Sequence, residues 1–303
     1  MVEITQKNTT LRTAIAQAIV QVSSEKTIHA ITNDAVPKGN VFEMAKTAGL
    51  FAVKRTSDII PDCHPLPIEY TGVDYEIDGL QIKIRIEVKT IYRTGVEVEA
   101  MHGASVIALT MYDMLKPIDK GIEIQNVKLI AKKGGKSDFK DRFRKDLRAA
   151  VFVCSDTIAA GQKEDKAGKA IIKKLEESSV SIAQYHVIPD EIEEIQAAAI
   201  KHVEQQTDLI IFTGGTGLSK RDVTPEALIP LLDREIPGIA EATRSYGQER
   251  TPYSMLSRSV AGTKDESLLL ALPGSTKGAS ESMDALFPAL LHIFRIFKGA
   301  RHD

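Results

Sequence analysis

Residues 209–217, LIIFTGGTG, join a short apolar run to a glycine-rich turn, and they decide the fold of the second half of the chain. The apolar run is typical of a strand that is buried on both faces, and the glycines are typical of a turn at its carboxyl end. Strands are also predicted at 149–153 and 180–188, and helices at 166–177 and 190–205. This regular alternation predicts a three-layer α/β domain with a mostly parallel sheet.

The first half of the chain follows a less regular pattern. Apolar and charged residues alternate from Ile82 to Val88, just after the turn residues Asp78 and Gly79, and this combination predicts a β-hairpin. Further strands are predicted at 73–77 and 122–129, and helices at 11–22, 42–54 and 100–116. Helices on one side of an antiparallel sheet make an α+β domain, for which we expect a ferredoxin-like arrangement.

The length of 303 residues favours two domains. A stretch rich in glycine, lysine and aspartate, Gly134 to Asp146, is the natural linker, so we expect domains at 1–145 and 146–303. Only two cysteines are present, which excludes a disulfide scaffold and a four-cysteine zinc site. Low cysteine usage, the lack of a secretion signal and the lack of a run of ~18 apolar residues lead us to expect a cytoplasmic protein without a membrane partner.

The net charge of −2 provides no positive electrostatic potential that would attract nucleic acid, so no nucleic-acid partner is expected. Positive charge is concentrated locally between Lys128 and Arg148. This run is either a solvated linker or, at residues 132–136, KKGGK, a phosphate site in which glycine N–H groups and lysines meet an anion.

The glycine-rich turn of the second half has the features of an anion site. It follows a strand at the sheet edge where ligands of α/β proteins collect, and its N–H groups are donors. Asp222 lies close behind it and could hold Mg²⁺, with Thr224 predicted as the N-cap and Pro225 as the first residue of the next helix. The alternative is a tight turn with a solvated Asp222. The spacing of a P-loop is absent.

Several strings of the second half together resemble the molybdopterin adenylyltransferase family and the molybdopterin-binding domains of gephyrin-like proteins, over residues 148–298. These strings are SDT at 155–157, PD at 189–190, GGTG at 214–217, RDVTPE at 221–226, LSR at 256–258 and PGS at 273–275. The resemblance implies transfer of AMP from MgATP to molybdopterin, with release of pyrophosphate. Some relatives of this kind bind without efficient catalysis, so a non-catalytic binding or scaffolding module is the alternative.

That resemblance also implies roles for single residues. Asp190 and Asp222 would be the catalytic acids and would hold Mg²⁺. Substrate binding would fall to residues of the strand-end loops, namely Ser155, Gly214, Gly215, Thr216, Gly217, Pro273, Gly274 and Ser275.

Strings of the first half resemble cyclic pyranopterin monophosphate synthase, over residues 1–145. They are KRTSDIIPDCHPL at 54–66, TGVEVEA at 94–100, TMYDMLK at 110–116 and LIAKKGGKS at 129–137. The resemblance implies conversion of a GTP-derived precursor, 3',8-cyclo-7,8-dihydro-GTP, to cyclic pyranopterin monophosphate with release of pyrophosphate and without a redox cofactor. With the second half, it predicts a bifunctional enzyme of molybdenum cofactor biosynthesis.

The spacing of the polar residues suits this chemistry. Asp113 and Lys116 lie three residues apart on one helical face, and Glu97 and Glu99 are expected to point the same way from an extended segment. A lysine is useful as a general acid or base if neighbouring cations or desolvation lower its pKa. The motif match implies catalytic roles for Lys38, His64, Glu97, Glu99, Asp113 and Lys116, and substrate binding by Cys63, Lys132 and Lys136. Both families form symmetric oligomers, so we expect a trimer-based homo-oligomer, a hexamer above all.

Overall fold

The computed structural model of the chain describes residues 1–135, 138–139 and 146–299. It divides into two compact units, Met1–Asp138 and Phe139–Asp303. This division falls inside the stretch predicted as a linker. The domain boundary predicted at 145/146 adjoins residues outside the described ranges and stays a prediction.

The N-terminal unit is an antiparallel sheet with helices on one face. Its described strands are β1 (Thr10–Gln21), β2 (Tyr70–Asp78), β3 (Gln81–Tyr92) and β4 (Glu123–Lys133), in the sheet order β2-β3-β1-β4. Its described helices are α1 (Glu25–Thr32), α2 (Val41–Lys54), α3 (Thr56–Ile59) and α4 (Glu97–Leu115). The predicted hairpin is confirmed, because β2 and β3 pair in antiparallel register from Asp78 and Gln81 outward.

The core of this unit lies between the sheet and the long helix α4. Alternate residues of β1 and β3 are buried against the helices, among them Ala16, Ala18 and Ile84. Gly49 allows α2 to approach α4 closely, because a Cβ at this position would lie 2.4 Å from the side chain of Ile107. The close contact fixes α4, which carries predicted site residues at both of its ends.

The helix predicted at 11–22 is wrong, because all of these residues but the last belong to β1, one of the two inner strands of the sheet. Small residues such as Ala14 and Ala16 face the helices, whereas Ile15 and Ile19 lie on the opposite face of the sheet. A strand with apolar residues on both faces lacks the polar alternation of a half-exposed strand. Its larger residues then fall by chance at helical spacing.

The C-terminal unit is a three-layer α/β structure with a mixed sheet. Its described strands are β5 (Arg148–Cys154), β6 (Ser181–Ile188), β7 (Leu209–Thr213), β8 (Arg234–Glu235), β9 (Val260–Lys264) and β10 (Ser267–Leu272), in the order β6-β5-β7-β10-β9-β8. Strands β6, β5, β7 and β10 are parallel, and the other two pair antiparallel at the edge. The prediction of a mostly parallel sheet is confirmed in this coarse form.

Helices cover both faces of this sheet. They are α5 (Asp156–Ala159), α6 (Ala167–Glu177), α7 (Ile192–Glu204), α8 (Thr224–Leu228), α9 (Pro237–Gln248), α10 (Thr276–Leu286) and α11 (Ile293–Ile296). Two separate apolar clusters, one around Ile171 and Leu270 and one around Phe152 and Phe212, fill the spaces on the two sides. Within the described part of the chain, no helix is both long enough and apolar enough to cross a membrane.

Candidate active sites

A cavity of about 490 Å³ lies in the N-terminal unit beside the first turn of α4. The predicted site residues Cys63, His64, Glu97 and Glu99 line it. The beginning of the chain borders the same space, since the Nε2–H of His64 donates to the carbonyl oxygen of Val2 at 2.8 Å. The structure therefore brings four of the predicted residues into one pocket.

Glu99 is the buried acid of this pocket, with 2% of its surface exposed. Burial raises the pKa of Glu99, and a hydrogen bond from the Cys63 thiol to its Oε1, at 3.1 Å, opposes this rise. Burial and the same contact raise the pKa of Cys63 to about 12, so this cysteine stays a thiol at neutral pH. The pair can hold a proton, whereas a nucleophilic thiolate is disfavoured.

The expectation that Glu97 and Glu99 point the same way from an extended segment is wrong. Both lie in the first turn of α4, where residues two apart differ in direction by about 200°. Glu99 is turned inward, and Glu97 instead meets Lys132 of β4, with 3.2 Å between Oε1 and Nζ. The predicted phosphate-binding Lys132 therefore stands at the rim of the pocket.

Arg12 of β1 is a cation near this rim that sequence reasoning missed. Its side chain is buried, and its guanidinium donates to the carbonyl oxygens of Tyr92 and Arg93 at 3.3 and 3.4 Å. Burial lowers the pKa of Arg12, and the nearby charges of Glu97 and Asp138 raise it. A single arginine within a run of small and apolar residues was the available signal.

The predicted phosphate loop holds an internal anion. The backbone N–H groups of Gly134 and Gly135 donate to Oδ2 of Asp138 at 2.7 and 3.2 Å. Lys136, also predicted to bind substrate, lies outside the described residues. The glycines thus present donors to a carboxylate where the sequence predicts a phosphate.

Three further predicted residues form a second cluster at the opposite end of α4. Lys38 donates to Oδ2 of Asp113 at 2.7 Å and to its carbonyl oxygen at 2.8 Å, and Lys116 lies 2.7 Å from Oδ1. Hydrogen bonds from Lys116 and Lys38 lower the pKa of Asp113 to about 2. The hydrogen bond with Asp113 raises the pKa of Lys116, so the condition of a lowered lysine pKa is not met at this residue.

The two clusters do not meet within one chain. Glu97 and Asp113 lie 16 residues apart on the same helix, which at 1.5 Å per residue separates them by about 24 Å. A single pocket that uses both clusters would need a second copy of the chain.

The candidate site of the C-terminal unit lies at the carboxyl ends of the parallel strands. Strand β5 connects to β6 on one side of it, whereas β7 lies on its other side, so the strand order reverses between β5 and β7. In open α/β sheets, ligands bind at such a switch point. Predicted residues follow all four parallel strands here: Ser155 after β5, Asp190 after β6, Gly214–Gly217 after β7 and Pro273–Ser275 after β10.

Close backbone contacts explain the glycines of this site. Gly214 has φ +109°, and a Cβ there would lie 2.1 Å from the carbonyl oxygen of Cys154. Gly274 approaches Gly214 so closely that a Cβ on Gly274 would lie 2.8 Å from its Cα. The β10 loop and the β7 loop are thereby packed together, and the Thr213 hydroxyl donates to the Pro273 carbonyl oxygen at 2.8 Å.

Thr224 is not the N-cap of α8, contrary to the prediction. The helix begins at Thr224 itself, after Val223, and no side chain caps it. The Thr224 hydroxyl is buried and donates to the carbonyl oxygen of Gly214 at 2.9 Å, so it fixes the glycine-rich loop. Ser155 and Ser275, predicted to bind substrate, cap α5 and α10 through their hydroxyl oxygens.

Asp190 has the electrostatic character of a ligand-binding acid. Its Oδ2 accepts from the Asp156 backbone N–H at 3.2 Å, but its buried Oδ1 has no hydrogen-bond partner among the residues that the structure describes. Burial raises the pKa of Asp190, and the charges of Asp156 and Asp222 add to the rise. A Cβ at Gly215 would lie 3.1 Å from Oδ1, so this oxygen is directed at the loop.

Asp222 is held beside the same loop. Its Oδ2 accepts from the Ser219 backbone N–H at 2.8 Å and would lie 2.9 Å from a Cβ on Gly217. Arg258 joins the two ends of this segment, because it donates to the carbonyl oxygens of Gly217 and Asp222 at 2.7 and 2.6 Å. Arg258 belongs to the string LSR at 256–258, but the sequence did not reveal that it holds the two ends of this loop together.

Comparison with known families divides the chain at the same place as the structure. Residues 1–135 match the MoaC family, and residues 150–292 match the family described as probable molybdopterin binding domain. The two halves therefore define a fused protein of molybdopterin metabolism.

Full-length relatives combine the same two halves. A molybdenum cofactor biosynthesis bifunctional protein of Chlorobaculum tepidum is 37% identical over 302 residues, which cover 100% of this chain and 96% of the relative. The chain belongs to this family of bifunctional proteins.

Other relatives match one half each. A cyclic pyranopterin monophosphate synthase of Clostridium perfringens is 47% identical over 139 residues, covering 45% of this chain and 87% of the relative. The crystal structure of the molybdopterin biosynthesis enzyme MoaB of Thermus thermophilus covers 52% of this chain and 99% of its own, at 40% identity and a TM-score of 0.48.

Proposed function

We propose that the chain catalyses two steps of molybdenum cofactor biosynthesis, one in each unit. One observation carries this proposal: in a chain of the bifunctional family, predicted site residues of each unit lie together in space. In the N-terminal unit they lie at the two ends of α4, and in the C-terminal unit they surround the glycine-rich loop after β7. We also propose a ferredoxin-like arrangement for the N-terminal unit. It is supported by the sheet order β2-β3-β1-β4 and by helices between β1 and β2 (α1 to α3) and between β3 and β4 (α4).

The N-terminal unit is proposed to convert 3',8-cyclo-7,8-dihydro-GTP to cyclic pyranopterin monophosphate and pyrophosphate. Lys116 is kept protonated by Asp113, so it is suited to act as a general acid. Glu99 and His64 would handle protons in the pocket, and Lys132 would bind phosphate. Lys38 would serve as a second acid or base once it leaves Asp113.

The separation of the two clusters supports a homo-oligomer in which neighbouring copies complete each pocket. Cys63, His64, Glu97 and Glu99 would come from one copy, and the lysine cluster around Asp113 from another. A trimer-based assembly, a hexamer above all, satisfies this requirement by symmetry.

The C-terminal unit is proposed to adenylylate molybdopterin. An oxygen of the molybdopterin phosphate attacks the α-phosphorus of ATP and forms a new P–O bond. The bond from this phosphorus to the bridging oxygen breaks, and pyrophosphate leaves with the electron pair. The N–H groups of Gly214–Gly217 would receive the molybdopterin phosphate, next to Ser155 and Pro273–Ser275.

The acids of this unit fit a bound Mg²⁺. Mg²⁺ is usually held by one or two carboxylates together with substrate phosphates. Asp190 offers a buried oxygen without a partner among the described residues, and Asp222 faces the same loop. Within the described ranges, no group of three acidic, histidine or cysteine side chains could hold a metal by itself. Bound with ATP, Mg²⁺ would neutralise phosphate charge.

The deciding experiment for this unit compares the wild-type protein with Asp222→Ala. We expect the variant to bind molybdopterin, whose phosphate meets backbone N–H groups, but not to adenylylate it with MgATP. Asp233→Ala is the matched control, because Asp233 is an exposed acid paired with Lys264. If the wild-type protein binds molybdopterin tightly and forms no product, the unit is the alternative, a binding or scaffolding module.

A further inference from the structure

Arg221 makes contacts that the proposed roles do not explain. It precedes Asp222 in the loop after β7, but its guanidinium reaches the segments that follow β5 and β6. Nε and Nη2 donate to Oδ2 of Asp156 at 3.0 and 2.7 Å, and Nη1 donates to Oε1 of Glu191 at 3.0 Å. The β7 loop is thereby tied to the segments that follow β5 and β6.

The contacts of Arg221 are made at the edge of the proposed Mg²⁺ site. Asp156, its main partner, exchanges backbone and side-chain hydrogen bonds with Asp190: each backbone N–H donates to the other carboxylate, at 3.2 and 3.1 Å. The region thus combines the carboxylates of Asp156, Asp190, Glu191 and Asp222. Among the described contacts, Arg221 is the cation that meets this group from the loop.

These ion pairs are exposed enough to exchange. The Arg221 side chain is 55% exposed, and its partners Asp156 and Glu191 are 43% and 50% exposed. Exposed ion pairs contribute little to stability, so a competing charge can replace them. A guanidinium also binds phosphate oxygens in the same two-pronged way as it binds a carboxylate.

We propose that Asp156 and Glu191 store Arg221 beside the C-terminal site and release it to the polyphosphate of a nucleoside triphosphate when the nucleotide binds with Mg²⁺. This inference rests on the proposed adenylyl transfer. There Arg221 offsets the negative charge that builds up on the departing pyrophosphate, while the freed Asp156 adds negative charge beside the metal. Arg221 therefore pairs with Asp156 and Glu191 before the nucleotide binds and with phosphate oxygens afterwards.

The proposal predicts two effects of opposite sign for Arg221→Gln. Without nucleotide, the variant lacks a cation that competes with a divalent metal, so we expect its affinity for Mn²⁺ to rise about fivefold. With nucleotide, it lacks a phosphate contact. Its affinity for the Mg²⁺ complex of a non-hydrolysable ATP analogue should fall, and its rate of adenylylation should fall roughly 10²-fold. A merely structural role would not improve metal binding.

The experiment uses the full chain and three matched proteins: wild type, Arg221→Gln and Lys264→Gln. Lys264 is an exposed cation paired with a single acid, Asp233, on β9, and its loss should change none of the three quantities. Mn²⁺ binding is measured by electron paramagnetic resonance, analogue binding by calorimetry and product by chromatography. Unchanged molybdopterin binding by Arg221→Gln establishes that the site is folded.

The possible results separate the two proposals. A higher affinity of Arg221→Gln for Mn²⁺, together with a lower affinity for the ATP analogue, supports the storage of Arg221 by Asp156 and Glu191. If the wild-type protein forms product and Arg221→Gln matches it in rate and analogue binding, the inference about Arg221 is overturned and adenylylation stands. If the wild-type protein forms no product, the proposed function fails, and analogue binding alone decides the inference. Equal analogue affinity of both proteins then overturns it.

Discussion

Asp113 receives two lysines, Lys38 and Lys116, each with 2.7 Å between Nζ and a carboxylate oxygen. These hydrogen bonds lower the pKa of Asp113 to about 2, so the carboxylate is ionised throughout the physiological pH range. It holds both lysines in place, and its hydrogen bond with Lys116 raises the pKa of that lysine and favours its protonated form. The carboxylate thereby prepares Lys116 to give a proton rather than to take one.

We expect Lys116→Ala to abolish formation of cyclic pyranopterin monophosphate without unfolding the protein. Loss of a general acid typically reduces the rate by ~10²–10⁴-fold. Product formation from the cyclised dihydro-GTP is the measurement. Lys83→Ala is a matched control, because Lys83 also contacts two exposed acids, Glu76 and Asp78. Near-normal turnover by purified Lys116→Ala would exclude the assigned role.

Gly214→Ala should damage the C-terminal site through the backbone. Its positive φ costs ~1–2 kcal/mol for a residue with a Cβ. The 2.1 Å approach to the Cys154 carbonyl oxygen adds a clash of ~1–3 kcal/mol. Gly161→Ala is the control, because Gly161 also has a positive φ but no atom within 4 Å of its Cβ position. Hydrogen exchange of the β7 amides measures the loss of protection in both variants. An equal loss of protection in Gly214→Ala and Gly161→Ala would contradict a clash at Gly214.

At the scale of elements, a buried carboxylate joins the start of the chain's first helix to the loop after α4. Asp119 accepts from the backbone and hydroxyl of Ser23, from the Thr27 hydroxyl and from the Gly121 N–H, at 2.6 to 2.9 Å. Burial alone would raise the pKa of Asp119, but these four donors outweigh it and lower the pKa to about 2. The network fixes α1 against the end of α4.

We expect Asp119→Asn to lower the free energy of unfolding of the N-terminal unit by about 2 kcal/mol at pH 7, since one pKa unit corresponds to 1.36 kcal/mol. The folded pKa of about 2 lies below the ordinary value of 3.8. The stabilisation is therefore complete above about pH 4 and is lost as the pH falls through 2. Hydrogen exchange of α1 at several pH values measures the difference. A difference that does not shrink on acidification would contradict this account.

At the scale of the whole molecule, the length of α4 keeps the two predicted catalytic clusters about 24 Å apart. No rotation of side chains closes this distance. If both clusters serve one reaction, they must meet between copies. The oligomer is then part of the catalytic apparatus of the N-terminal unit.

Mixed oligomers test this directly. Lys116→Ala and Glu97→Gln should each be inactive, whereas co-assembled copies should regain about a quarter of wild-type activity. Half of randomly formed pairs are mixed, and each mixed pair contains one intact site. Activity after subunit exchange and light scattering are the measurements. A monomer at micromolar concentration, or no recovery in mixed oligomers, would contradict a shared site.

The local sequence was enough to predict a structural feature where one short segment contains all the residues that cause it. Asp78 and Gly79 specify a tight hairpin, and the apolar run before Gly214 specifies a buried strand with a turn at its end. The alternation of strands and helices after residue 146 predicted a mostly parallel sheet, because consecutive parallel strands need crossover helices. The motif strings also predicted which acids and lysines belong to the two sites.

Tertiary structure decided what depends on neighbours distant in sequence. Strand β1 has apolar residues on both faces because it pairs with β3 and β4 at the centre of the sheet, and its own spacing suggested a helix instead. The fold also decided that Arg12 lies beside the pocket and that Arg221 crosses to Asp156. The length of α4 separates the two predicted catalytic clusters. No local pattern contains these distances, because they arise from how whole elements pack.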